Sequence, residues 1–160
     1  MESFDLILKN KPIPEGAQPI IEEMKSSGER VLFVIVGDLG LNGRYTDTAL
    51  IFTDKEVVSW WGDTANTKRY AFSDMSEVVA KRMYGNATLS AKMTGGSRVV
   101  FFRYTYSVAA LCDAAALFIN HVNSGAALNE ELAVMAVTFE RADCRRNGRI
   151  RQQDVRRQLR

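Results

Sequence analysis

The residues able to hold a metal or carry a nucleophilic reaction are few and scattered. Two cysteines, Cys112 and Cys144, and one histidine, His121, make up the soft-ligand complement. A structural zinc site takes four Cys or His ligands, so these three do not complete one. The stretch Asp143 to Asp154 has the spacing of a calcium loop, with Asp143 at the first position, Asn147 at the fifth, Gly148 at the sixth, Ile150 at the eighth and Asp154 at the twelfth. Its chemistry is wrong for calcium. Arg145 stands where an oxygen ligand belongs, Asp154 is shorter than a bidentate glutamate, and Arg146, Arg149 and Arg151 repel a dication. Neither metal is expected, nor any other cofactor. Catalysis has no better footing. The chain has no Gly-x-Ser-x-Gly elbow, no phosphate-cradling glycine loop and no Cys–His pairing pattern. Asp38, Asp47 and Asp54 fall at turns and strand ends, where carboxylates bond local backbone amides. The sequence reads as non-enzymatic.

Charge and aromatic placement point to binding instead. The net charge is +2, but residues 141–160 hold eight arginines and two aspartates, which leaves the rest of the chain at −4. Arg141, Arg145, Arg146, Arg149, Arg151, Arg156 and Arg157 are therefore candidates for contact with an acidic partner or an anionic lipid surface, if they are not simply a solvated terminal segment. No nucleic-acid partner is expected. Trp60 and Trp61 are adjacent in a strand, so one ring points in and the other out. An outward tryptophan is a candidate anchor for a partner or a membrane interface, or it is covered by the N-terminal segment. Lys68-Arg69, Lys81-Arg82 and Lys92 read as ordinary outward-facing strand residues.

The elements that position these groups follow from the texture of 160 residues, 46% apolar and 25% charged. Residues 1–28 form a lead-in broken by Pro12, Pro14 and Gly16, with one or two helical turns around Ile20 to Met24. No signal peptide is read in it. Seven short strands follow at roughly ten-residue spacing: Val31–Val36, Tyr45–Thr53, Val57–Trp61, Thr67–Phe72, Glu77–Met83, Ala87–Met93 and Ser97–Tyr104. Gly37 to Gly43 reads as a loop. The period then switches. Val108, Leu111, Cys112, Ala115, Phe118, Ile119 and Val122 make one helical stripe, with Ser107 as the expected N-cap. Four strands, three strands and a helix predict a mainly β fold with C-terminal α structure. Specifically, the order predicts a pleckstrin-homology-like, seven-stranded antiparallel barrel plugged by the helix, over residues 29–125. Residues 126–160 follow as a helical, arginine-rich tail or linker. No apolar run is long enough to span a membrane.

The segment Glu29 to Val58 resembles the N-terminal cytosolic region of certain bacterial ABC exporters. The matching residues are Gly37, Asp38, Leu39, Gly43, Arg44, Tyr45, Asp47, Thr48, Leu50, Thr53 and Asp54, together with the turn Thr94 to Gly96 and the pair Arg103-Tyr104. In that group the stretch opens a pleckstrin-homology-like domain ahead of the transmembrane helices. A C-x-x-C-G-R knuckle commonly follows, as half of a small zinc site. Here the corresponding run is Cys144-Arg-Arg-Asn147-Gly148-Arg149, so the second cysteine is replaced and the metal ligands do not carry over. The chain holds no Walker A sequence. The resemblance implies a regulatory or interaction domain at the inner face of the cell membrane, with the membrane and nucleotide-binding parts of an exporter as partners. A free-standing module that touches anionic lipid through its basic tail is the alternative. The sequence leaves the oligomeric state open.

Overall fold

The computed structural model describes residues 7–63 and 66–142. Two sheets and three helices follow in order along the chain: β1 (Leu8–Lys9), α1 (Gln18–Ser26), β2 (Val31–Leu39), β3 (Tyr45–Thr53), β4 (Glu56–Trp60), β5 (Lys68–Ala71), β6 (Met75–Met83), β7 (Asn86–Met93), β8 (Arg98–Tyr104), α2 (Ala109–Asn123) and α3 (128–142). The first sheet has the order β1-β2-β3-β4-β5 and the second β6-β7-β8. The fold is thus mainly β with C-terminal helices, and the seven expected strands pair with one another only antiparallel. The eighth, β1, comes from the lead-in and pairs parallel with β2, Leu8 opposite Phe33.

The unbroken apolar runs in β2 and β3 are buried on both faces. Phe33, Ile35, Leu50, Phe52 and Val57 point to the main core with the second sheet and α2. Val34, Val36, Ala49, Ile51, Val58 and Trp60 point the other way, into a second core closed by Ala17, Ile20, Ile21 and Met24. Alternate strand residues face opposite sides, so a run without polar alternation needs cover on both. The lead-in supplies that cover. A 3-10 turn at Glu15–Ala17 feeds α1, which stops at Ser27 with Glu29 N–H donating to the Met24 carbonyl. Gly16 lies against Trp60, where a Cβ would stand 2.6 Å from the indole ring.

The expected closed barrel is two open sheets, and each gap has a physical cause. At one corner, Asn120 of α2 takes up the edge of β6. The Val78 N–H donates to Asn120 Oδ1 at 3.0 Å, and Asn120 Nδ2 donates to the Val78 carbonyl at 2.8 Å. That edge is therefore closed to β5, and a 3-10 turn at Phe72–Asp74 carries the chain across. At the other corner, a bulge in the β7–β8 register leaves Phe101 unpaired between Val100 and Phe102. Phe101 and Phe102 are both buried, and they meet Tyr70 of β5 and Trp61, just after β4, with centroids 6.1 and 6.2 Å apart. Rings at this spacing hold β8 at side-chain distance, well beyond the ~4.8 Å of a ladder. Gly37 permits the crossing, because a Cβ there would lie 2.8 Å from the Phe102 ring.

The helices seal the remaining end. Phe118 of α2 is fully buried and meets Phe33, Phe52 and Phe72 edge-on at 5.2, 6.2 and 6.2 Å. Ser107 does not cap α2. A 3-10 turn at Tyr106–Val108 leads in, and the Ser107 hydroxyl bonds Thr105 at 2.8 Å. In α3, Leu128, Leu132, Met135 and Phe139 repeat at helical spacing and pack on the main core, Phe139 against Phe33 at 5.9 Å. His121 and Glu131 join α2 to α3 at 2.7 Å. Both flanks of the 29–125 segment therefore contribute buried side chains.

Phe118→Ala is expected to lower stability by about 3–5 kcal/mol through cavity formation. Asn120→Ala, which strands two backbone groups of Val78, is expected to cost about 1–3 kcal/mol. Urea denaturation reads both. Losses under about 0.5 kcal/mol, the size of surface substitutions, would contradict these packing roles.

Candidate functional site: an aromatic groove

The open end of the sandwich holds a groove of about 680 Å³, within the range of ligand pockets. Its walls come from four places. The β2–β3 turn brings Leu41, Asn42 and Arg44; the start of β3 brings Tyr45 and Thr46; the end of β4 and the loop after it bring Trp61, Asp63 and Asn66; β5 and β8 bring Lys68, Tyr70, Val99 and Val100. Each wall is locally determined. The turn is held by Gly40 N–H donating to the Arg44 carbonyl at 2.8 Å, Gly43 N–H to the Gly40 carbonyl at 2.9 Å, and Arg44 N–H to Asn42 Oδ1 at 3.0 Å. Asp63 accepts from the Asn66 backbone and side-chain amides at 3.0–3.2 Å, so its carboxylate is engaged within its own turn. Arg44 and Lys68 are exposed and form no ion pair among the described residues. Tyr45 is 80% exposed, a large apolar ring left to solvent at the rim.

Part of the stretch that carries the sequence resemblance, Gly37 to Tyr45, falls around this end, while Leu50 lies in the main core and Thr53 holds the β3–β4 turn. Gly37 gives passage to Phe102, and Asp38 accepts from the Thr105 hydroxyl at 3.2 Å, tying β2 to the end of β8. Arg44 and Tyr45 stand on the groove rim. The motif thus fixes the crossing of β2 and β8 and displays two side chains at the mouth.

The two tryptophans separate as their adjacency requires. Trp61 is half-buried, lines the groove and leans on Phe102. Trp60 is 4% exposed under the lead-in. As a candidate contact it is corrected to a packing residue of the second core. Arg141 is exposed at the end of α3, away from the core stripe. Arg145, Arg146, Arg149, Arg151, Arg156 and Arg157 lie outside the described residues, as do Cys144 and the Asp143–Asp154 loop. The other basic pairs are mostly spoken for. Arg69 bridges Glu29 and Glu56, Arg82 pairs with Asp113 and sits over the Tyr106 ring, and Lys92 pairs with Glu77.

Among the described residues, no three His, Cys, Asp or Glu side chains gather where a cation would fit. Cys112 is fully buried, and burial pushes its thiol well above the ordinary range, which keeps it neutral and a poor nucleophile. Tyr104 is likewise buried with its phenol pushed up by burial. No helix among the described residues is long and apolar enough to cross a membrane. The groove went unseen in the sequence because its lining comes from stretches far apart in the chain, 40–46, 61–70 and 99–100. The one local signal was the outward ring of Trp61. Comparison of the chain with protein-family models, with curated proteins and with solved structures finds no match.

Proposed function

We propose that the chain is a non-catalytic, pleckstrin-homology-like interaction module that engages its partner in the groove. The observation that carries this reading is the combination of Tyr45, Trp61 and Tyr70 at one open end with Arg44 and Lys68, which form no ion pair among the described residues. Aromatic surface beside unengaged charge is the makeup of recognition sites. The order of two sheets followed by helices supports a relation to the pleckstrin-homology fold. The resemblance of Glu29 to Val58 supports a place ahead of the membrane helices of a bacterial ABC exporter, at the cytoplasmic face. In that setting the groove would receive a part of the exporter or a regulator of it.

The test is a backbone-amide NMR screen of the full chain with small aromatic fragments, neutral, anionic and cationic. Shifts are expected at residues 40–46, at the Trp61 indole N–H and at Tyr70 and Val99. Trp61→Ala should abolish them while moving stability by no more than about 1 kcal/mol, as for a half-exposed side chain. Shifts concentrated elsewhere, or none, would overturn the reading.

One observation favours a second reading. The last twenty residues hold a net +6, and Arg141, near the last described residue of α3, is exposed. Basic residues near an anionic bilayer contribute about 1 kcal/mol each at most and are screened by salt. Under this reading the full chain sediments with phosphatidylglycerol vesicles at low salt and a chain ending at Glu140 does not. Equal sedimentation of the two, or none by either, would dismiss it.

A further inference from the structure

We infer that the groove takes an extended peptide segment carrying an acidic side chain beside an aromatic or β-branched one, paired along the free edge of β8. This rests on the reading that the groove is the module's binding face.

The first support is the state of the strand edges. The edge of β2 is covered by β1 and then by Asn10, whose side chain accepts from Val36 N–H at 2.7 Å and donates to the Val36 carbonyl at 3.0 Å. The edge of β6 is taken by Asn120. β8, by contrast, has a ladder partner only in β7, and β5 only in β4. Both strands line the groove. Val99 and Val100 are consecutive strand residues, whose side chains point to opposite faces, yet both line it, so the main chain of β8 itself forms part of the wall. The Phe101 carbonyl is already engaged by the Ser59 hydroxyl. This places the start of β8, before Phe101, as the accessible edge. An added strand is the ligand form that answers unpaired main-chain groups, with side-chain pockets setting preference.

The second support is charge. Arg44 and Lys68 are free of ion pairs among the described residues, while Asp63 is committed to Asn66. Two cations suit one carboxylate. They are too few for the several charge-assisted contacts a polyphosphate headgroup needs. The chain's own last twenty residues carry the same net sign as the groove's two cations, so the acidic group is sought in another chain. The third support is the apolar lining. Tyr45, Trp61, Tyr70 and the two valines offer flat and branched surface on which an aromatic or β-branched side chain packs.

The experiment pans a displayed library of random seven-residue peptides on the full chain and titrates the selected peptide as a synthetic compound. Selected sequences are expected to carry Asp or Glu beside Phe, Tyr, Trp, Ile or Val. Affinity should fall at least about tenfold for the Arg44→Glu/Lys68→Glu double variant, the scale of one lost charged hydrogen bond. Both residues are exposed, and an unchanged denaturation midpoint verifies that the variant folds. A similar fall is expected when alternate backbone nitrogens of the peptide are N-methylated, which a purely side-chain mode of binding would not show. Failure to select any peptide, selection of basic or uncharged ones, survival of binding in the double variant, or indifference to N-methylation would each overturn the inference. So would capture of phosphatidylglycerol vesicles, lost in the same variant, in place of peptide binding. Fragments still found in the groove under any of those results would leave the binding-face reading intact.

Discussion

Everything in this molecule depends on the burial of one sheet on both of its faces. The runs Val31 to Val36 and Ala49 to Phe52 contain no polar residue, and nearly every one of their side chains is fully buried. Half of them belong to the main core and half to the core beneath α1. A sheet with one wet face would have left Val34, Val36, Ile51 and Trp60 in solvent. The lead-in is consequently part of the fold rather than an approach to it. It also decides the fate of Trp60, which the cover removes from any surface role, and leaves Trp61 as the aromatic group that meets solvent from this strand.

The second organising feature is how strand edges are closed. Two asparagine side chains, Asn10 and Asn120, imitate a neighbouring strand by donating and accepting at a single backbone residue, Val36 and Val78. Such a device satisfies buried-edge amides without a further strand. It also keeps the two sheets from joining into a barrel. The bulge at Phe101 does the same at the opposite corner by turning two large rings toward the first sheet. The groove is what remains between sheets that cross without closing, rimmed by a tight glycine-containing turn and by aromatic residues that find no interior place.

Much of this was legible from residue patterns. β-branched content and turn residues placed all seven main strands near their observed limits, and the stripe from Val108 to Val122 marked α2. The clean apolar run in β2 marks a strand, and the cover on both of its faces follows only once α1 is in place. β2 runs on through Gly37 to Leu39, where a loop was expected, because its backbone still pairs with β3 down to Tyr45. β1 was invisible, since two residues carry no periodicity and their pairing is set by tertiary contact. Barrel closure could not be read either. It turns on whether Asn120 faces solvent or a strand edge, and an asparagine in a helix looks the same in both cases. The groove gathers Arg44, Trp61, Lys68 and Val99 from distant positions, and local spacing holds no record of that meeting.

The most direct measurement is the unfolding of a chain that begins at Glu29. Removing α1 would expose Val34, Val36, Ile51, Val58 and Trp60, at about 1.5–3 kcal/mol for each large side chain. That loss rivals the whole ~5–15 kcal/mol stability of a typical domain. Two-sided burial predicts that this shortened chain shows no cooperative urea transition and binds a hydrophobic dye. A sharp transition at the midpoint of the full chain would show that the sheet stands without its second core, and would contradict the account.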